Sequence, residues 1–153
     1  EGAFADPRDP SLGWLRYGPA ADGDGAGVDW DALRVAACVP ESGVELVPGE
    51  TFILEAGFDR LGGVDLRKGC YVGQEVTARM RHKTQLRKGL ATVTVEGDAA
   101  PGTEIRAEDG RPAGTLHTVA GGRAIAYLRF DRATGPMEAG AARVTWSPRT
   151  EDA

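Results

Sequence analysis

Beyond residue 86 the chain settles into short runs in which apolar and polar residues alternate, and this texture constrains the fold more than any other feature. The runs occupy 89–96 (GLATVTVE), 103–107, 113–119, 123–130 and 143–146. Gly97-Asp98, Glu108-Asp109-Gly110, Gly121-Gly122 and Gly135-Pro136 separate them, and these pairs carry the backbone freedom of tight turns. Side chains that alternate with a period of two belong to strands with one buried face. Several such strands at this spacing predict a small antiparallel β-barrel or sandwich.

The residues before 86 have a different texture. Asp6-Pro-Arg-Asp-Pro-Ser is turn-rich, 13–17 alternates as a short strand would, and 18–27 (GPAADGDGAG) reads as a surface loop. Asp29 is placed to cap a helix from Trp30 to about Cys38, which Pro40 ends. An irregular connection over 41–49 leads to the apolar cluster Phe52, Ile53, Leu54, Ala56, Phe58 and Leu61, closed off by Gly62-Gly63. Val72, Val76 and Met80 recur every four residues and predict one stripe of a second helix, with Glu75 and Arg79 as an exposed supporting pair. The expected fold class is therefore α+β, an α+β portion over 1–85 followed by a C-terminal antiparallel β-barrel over 86–153.

A chain of 153 residues with 41% apolar content can bury a core, which excludes global disorder. No run approaches the roughly 18 consecutive apolar residues of a membrane span, and Glu1 opens a polar segment unlike a signal peptide. A cytoplasmic setting is expected, or the mitochondrial matrix in a eukaryote. Glu1 stands where an initiator methionine would, so processing or a longer parent chain is expected. The net charge of −5 is unevenly spread: residues 67–88 hold Arg67, Lys68, Arg79, Arg81, Lys83, Arg87 and Lys88 against Glu75 alone. Such a patch suits a polyanionic ligand, RNA phosphates or an acidic protein.

One of the two cysteines sits inside this patch, in Lys68-Gly69-Cys70-Tyr71-Val72-Gly73-Gln74-Glu75. A neighbouring ammonium or a helix N-terminus favours the thiolate, which makes Cys70 a candidate nucleophile or ligand. Gly69 and Gly73 remove bulk, so backbone amides and the thiol can approach a ligand closely. Each residue also has an ordinary reading: a small buried cysteine, a solvated lysine, a first-turn glutamate. Reducing compartments disfavour a Cys38–Cys70 bridge, and Cys38, Cys70, His82 and His117 lack the spacing of a structural zinc site. Trp14, Trp30 and Trp146 are read as partly buried packing groups.

The octapeptide KGCYVGQE resembles the signature of the YgfZ family, the folate-binding relatives of the glycine-cleavage T-protein (aminomethyltransferase) that support iron–sulfur cluster maturation. The likeness continues through Val76, Thr77, Ala78 and Arg79 and upstream in Trp30 and Arg34, as W-x-x-x-R. It implies the C-terminal part of a T-protein-like folate-binding domain followed by a barrel, with Cys70 as the functional thiol. Lys68, Gly69, Tyr71, Gly73, Gln74 and Glu75 are its motif, and Lys68 and Arg79 are cations for folate or another anion. The family's N-terminal region, which holds part of the folate pocket and the T-protein's catalytic aspartate, has no counterpart in these residues.

The resemblance implies an accessory factor in iron–sulfur cluster assembly or repair, with enzymes that modify tRNA among those it serves. Tetrahydrofolate or a derivative is the implied cofactor. Iron–sulfur assembly or client proteins, and the protein's own N-terminal region, are the implied partners, with no membrane partner. One cysteine cannot hold a cluster that generally needs four protein ligands, so any cluster is shared. A tetrahydrofolate-dependent aminomethyltransferase-like enzyme is the alternative. An RNA-binding module is a third reading, weakened by the acidic remainder and the lack of a recognised RNA motif.

Overall fold

The computed structural model describes residues 2–19, 27–82 and 86–148. Most of the 18–27 stretch, Lys83 and the side chain of His82 lie outside the described residues. In chain order the elements are β1 (Ala3–Ala5), β2 (Trp14–Arg16), α1 (Trp30–Ala37), α2 (Gln74–His82), β3 (Lys88–Glu96), β4 (Glu104–Ala107), β5 (Pro112–Ala120), β6 (Arg123–Arg129), β7 (Met137–Ala139) and β8 (Ala142–Thr145).

The last six strands close into an antiparallel barrel in the order β3-β6-β5-β4-β7-β8, as the alternating runs predict. Inward positions interdigitate across the ring: Val93 lies opposite Ala124, Ala91 opposite Ala126 and Val95 opposite Val144. These residues join Ile105, Leu116, Leu128 and Met137 in one buried cluster, with Phe130 stacked on Trp146 at its margin, ring centroids 5.0 Å apart. Such a core removes a large apolar area from water, the dominant favourable term in folding. Strand β7 was not expected, because Gly135-Pro136 and Gly140 give it the composition of a turn; pairing with β4 and β8 makes it a strand.

Helix α1 lies across the outer face of β3, β5 and β6. Its sequence explains its limits. The Asp29 carboxylate accepts the Ala32 N–H at 2.8 Å, and Cys38 ends the helix in the left-handed region at φ 54°. The Arg60 guanidinium then donates to the Ala37 and Cys38 carbonyls at 3.1 and 2.7 Å, placing a cation on the negative helix end. Ile125 faces away from the barrel interior yet is fully buried, since α1 covers that side. The Thr92 hydroxyl fastens the same contact by donating to the Val35 carbonyl at 2.6 Å.

Four expectations change. The turn-rich opening contains β1, which pairs with β2 in a two-stranded ribbon. Trp14 is exposed instead of packed. Val72 precedes α2 rather than joining it, and with Val76 it faces outward, so of the apolar stripe Met80 alone is half-buried. Thr77, one residue on, is the buried position of that helix, and no ion pair joins Glu75 to Arg79 among the described residues.

Candidate functional site

The Cys70 loop is short and closed on itself. Asp65 accepts the Arg67 N–H at 2.8 Å, turning the chain into the loop. Tyr71 and Gln74 then bond reciprocally: the Tyr71 N–H donates to Gln74 Oε1, and the Gln74 N–H to the Tyr71 carbonyl, each at 3.3 Å. Between them Gly73 sits at φ 87°, a conformation that residues with a Cβ seldom adopt, and there the backbone swings into α2. Lys68 lies with its ammonium 5.2 Å from the centre of the Tyr71 ring, a cation–π contact across the cysteine.

Cys70 is exposed at the crest of this loop, and neither it nor the buried Cys38 forms a disulfide. The candidate residues Lys68, Gly69, Tyr71, Gly73, Gln74 and Glu75 come together as one loop leading into a helix, Glu75 falling in the first turn of α2. Arg79 is exposed one turn further on. A side chain at Gly69 would meet only open space, so local packing does not demand glycine there. Of the cationic stretch, Arg81 pairs with Asp59 at 3.5 Å, while Arg67, Lys68, Arg79 and Arg87 face solvent. The described residues contain no group of three or more His, Cys, Asp or Glu placed to hold a metal ion. What this loop offers chemically is one accessible sulfur on a backbone held by the Tyr71–Gln74 bonds, with Arg67 and Lys68 before it in the chain and Glu75 after it.

A second polar constellation lies under α1, and only Arg34 of it stood out in the sequence. Arg34 is buried, and its Nη1 donates to the Val39 carbonyl at 3.1 Å and to Glu45 Oε2 at 3.2 Å. Its Nη2 donates to Asp31 Oδ1 at 2.8 Å and to the Thr118 hydroxyl oxygen at 3.0 Å. Nε lies 3.1 Å from Glu41 Oε2, an ion-pair contact without hydrogen-bond geometry. Thr118 in turn donates its hydroxyl to Glu45 Oε1 at 2.5 Å, and the Glu41 N–H donates to Glu45 Oε2 at 2.9 Å. Burial pushes the Glu45 carboxyl up, but the Thr118 and Glu41 bonds and the Arg34 charge outweigh it and hold the group below its ordinary range.

Thr118 reaches this network because β5 carries one extra residue relative to β6 between Leu116 and Val119. Leu116 points into the barrel and Thr118, two positions on, points out toward α1. Beside the network a cleft of about 230 Å³ is lined by Glu45, Phe52, Glu55, Leu90, His117 and Tyr127 among others. At its wall the Tyr127 hydroxyl donates to the Glu55 carboxylate, and burial together with that bond pushes the phenol above its ordinary 10.0. A lone glutamate or threonine in a sequence carries no mark of such a partnership, so periodicity could not find Glu45 or Thr118.

Comparison with known proteins places this geometry in context. Residues 87–150 match the family model described as CAF17, C-terminal beta-barrel domain. The iron-sulfur cluster assembly factor IBA57, mitochondrial, of Mus musculus is 33% identical over 145 residues, covering 86% of this chain and 40% of that protein. The Homo sapiens protein of the same name is 33% identical over 144 residues with the same coverage, and the homologue of Phaeosphaeria nodorum is 31% identical over 162 residues. The chain thus spans about 40% of the length of the curated relatives it matches. The relatives are named IBA57 and the matching family model CAF17, whereas the octapeptide resembles the YgfZ signature. Residues 87–150 are thus similar to the CAF17 C-terminal barrel, and most of the chain is similar to part of the IBA57 proteins.

Proposed function

We propose that this chain serves in iron–sulfur cluster assembly, with Cys70 as a thiolate that is shared with a second protein while a cluster is built or passed on. The observation that carries the reading is the exposed Cys70, held on a loop by the Tyr71–Gln74 bonds and flanked by Lys68. A ligand donated to a partner must stand clear of its own fold, and a pinned backbone lowers the ordering cost of presenting it. One sulfur leaves the other cluster ligands to the partner. The kinship with IBA57 assembly factors supports the same step, and the mitochondrial names of those relatives support the matrix as its place in a eukaryote. Among the described residues no helix is long and apolar enough to cross a membrane.

The finer reading is that a tetrahydrofolate assists this work, its glutamate tail drawn to Lys68 and Arg79, and that client enzymes include ones that modify tRNA. The exposed positive charge beside Cys70 supports an anionic ligand there. The test is Cys70→Ser in the full-length protein, expressed in cells that lack the native one. The variant is expected to melt within about 2 °C of the parent, as an exposed substitution should, yet to leave iron–sulfur enzymes inactive. Full complementation by the serine variant would reject the thiol role.

A further inference from the structure

Helix α2 is seated on the molecule by one face and leaves another uncovered. Successive helical residues are about 100° apart, so the buried Thr77 points a quarter turn away from Val76. Arg81, paired with Asp59, stands beside Thr77 on the seated side. Val76 is left 52% exposed, and Val72 in the preceding loop is exposed in full. Both valines follow Cys70 within two turns of chain, and the exposed Arg79 lies one turn beyond Val76. Arg67 and Lys68 add positive charge in the loop just before Cys70, with Glu75 the one acid among residues 67–88, on a molecule whose net charge is −5.

We propose that Val76 and Arg79 on α2, together with Val72 in the loop before it, form a face that docks a partner protein whose own patch has an apolar centre ringed by carboxylates. Docking there sets the partner against the Cys70 thiol. This deepens the assembly reading and rests on it for the role of that thiol. Charge complementarity decides the partner's chemistry, since a basic patch on an acidic body attracts acidic surfaces and repels its like. Val76 on a nine-residue helix and Val72 in the loop before it are too little apolar surface for a membrane interface, and α2 lacks the Trp, Phe or Leu of interfacial helices. Single-stranded RNA would need an aromatic platform, and Tyr71 is already engaged by Lys68.

The experiment places a photo-cross-linking benzoylphenylalanine at Val76 of the full-length protein in its own cell and identifies the joined peptide by mass spectrometry. The expected product is a cross-link to another protein, through a peptide in which Asp or Glu flanks apolar residues. That partner, once purified, is expected to bind about tenfold more weakly to Val76→Asp or to Arg79→Glu, and more weakly as salt rises. A cross-link to lipid, to RNA, to another segment of the same chain or to a basic peptide overturns the proposal, and so does binding that neither substitution changes. Should Cys70→Ser complement fully, the thiol's role falls, while the cross-link and its salt dependence still decide the docking face.

Discussion

Gly114 shows how little room a single position can have. A Cβ there would stand 2.2 Å from the Tyr127 carbonyl oxygen and 3.1 Å from the Leu128 Cα, both backbone atoms of the adjoining strand. Neither can swing aside as a side chain would. We expect Gly114→Ala to part β5 from β6 locally and to cost about 3 kcal/mol, at the upper end for overpacking, read as a lowered urea midpoint. Nothing in the sequence announces this, since a glycine inside a run of strand residues reads only as a weak point. Cys70 was legible for the opposite reason: its neighbours form a string too specific to be composition, and the structure shows that string as one closed loop.

Among the elements, α1 could be read almost to the residue, because its cap and its end are local chemistry carried by Asp29 and the turn at Cys38. Helix α2 could be read as a helix but not oriented. A stripe of valines names a face, whereas seating depends on what the rest of the fold offers, and here it offers a berth to Thr77. The bulge in β5 was equally hidden, since one extra residue in a strand changes no pattern until its partner is known. Through that bulge the barrel's Thr118 hydroxyl joins the buried ion pair of Arg34 on α1 and Glu45 in the 41–49 connection. Removing Arg34 leaves Glu45 charged and uncompensated, and we expect Arg34→Leu to cost about 3–5 kcal/mol. Trp30, at the start of α1, should report the loosening as a red-shifted emission, and Arg34→Leu combined with Glu45→Leu should recover part of the loss.

For the whole molecule, the same network sets the response to acid. Glu45 has a lower pKa folded than its ordinary 4.5, and the buried Asp6, held by its bond to Arg8, lies below its ordinary 3.8. The folded state therefore binds fewer protons than the unfolded one in that range. The stability these groups contribute is fully present above their ordinary values and is lost as pH falls through the lower, folded ones. Calorimetric melting temperature should accordingly hold level above pH 4.5 and drop below it, with a shallower drop in Glu45→Gln. Tyr127 works in the other direction, its raised pKa withdrawing support as pH climbs past 10.0.

The order of strands around the barrel carries one more consequence. β3, the first strand of the ring, pairs antiparallel with β8, the last, so the chain leaves β8 heading back toward the point where it entered β3. Entrance and exit share one side of a ring with no loose edge. We expect a chain folded this way, with α1 kept on its outer face, to tolerate a cut at the Gly121-Gly122 hairpin, since the ladders of β6 with β5 and β3 do not depend on that link.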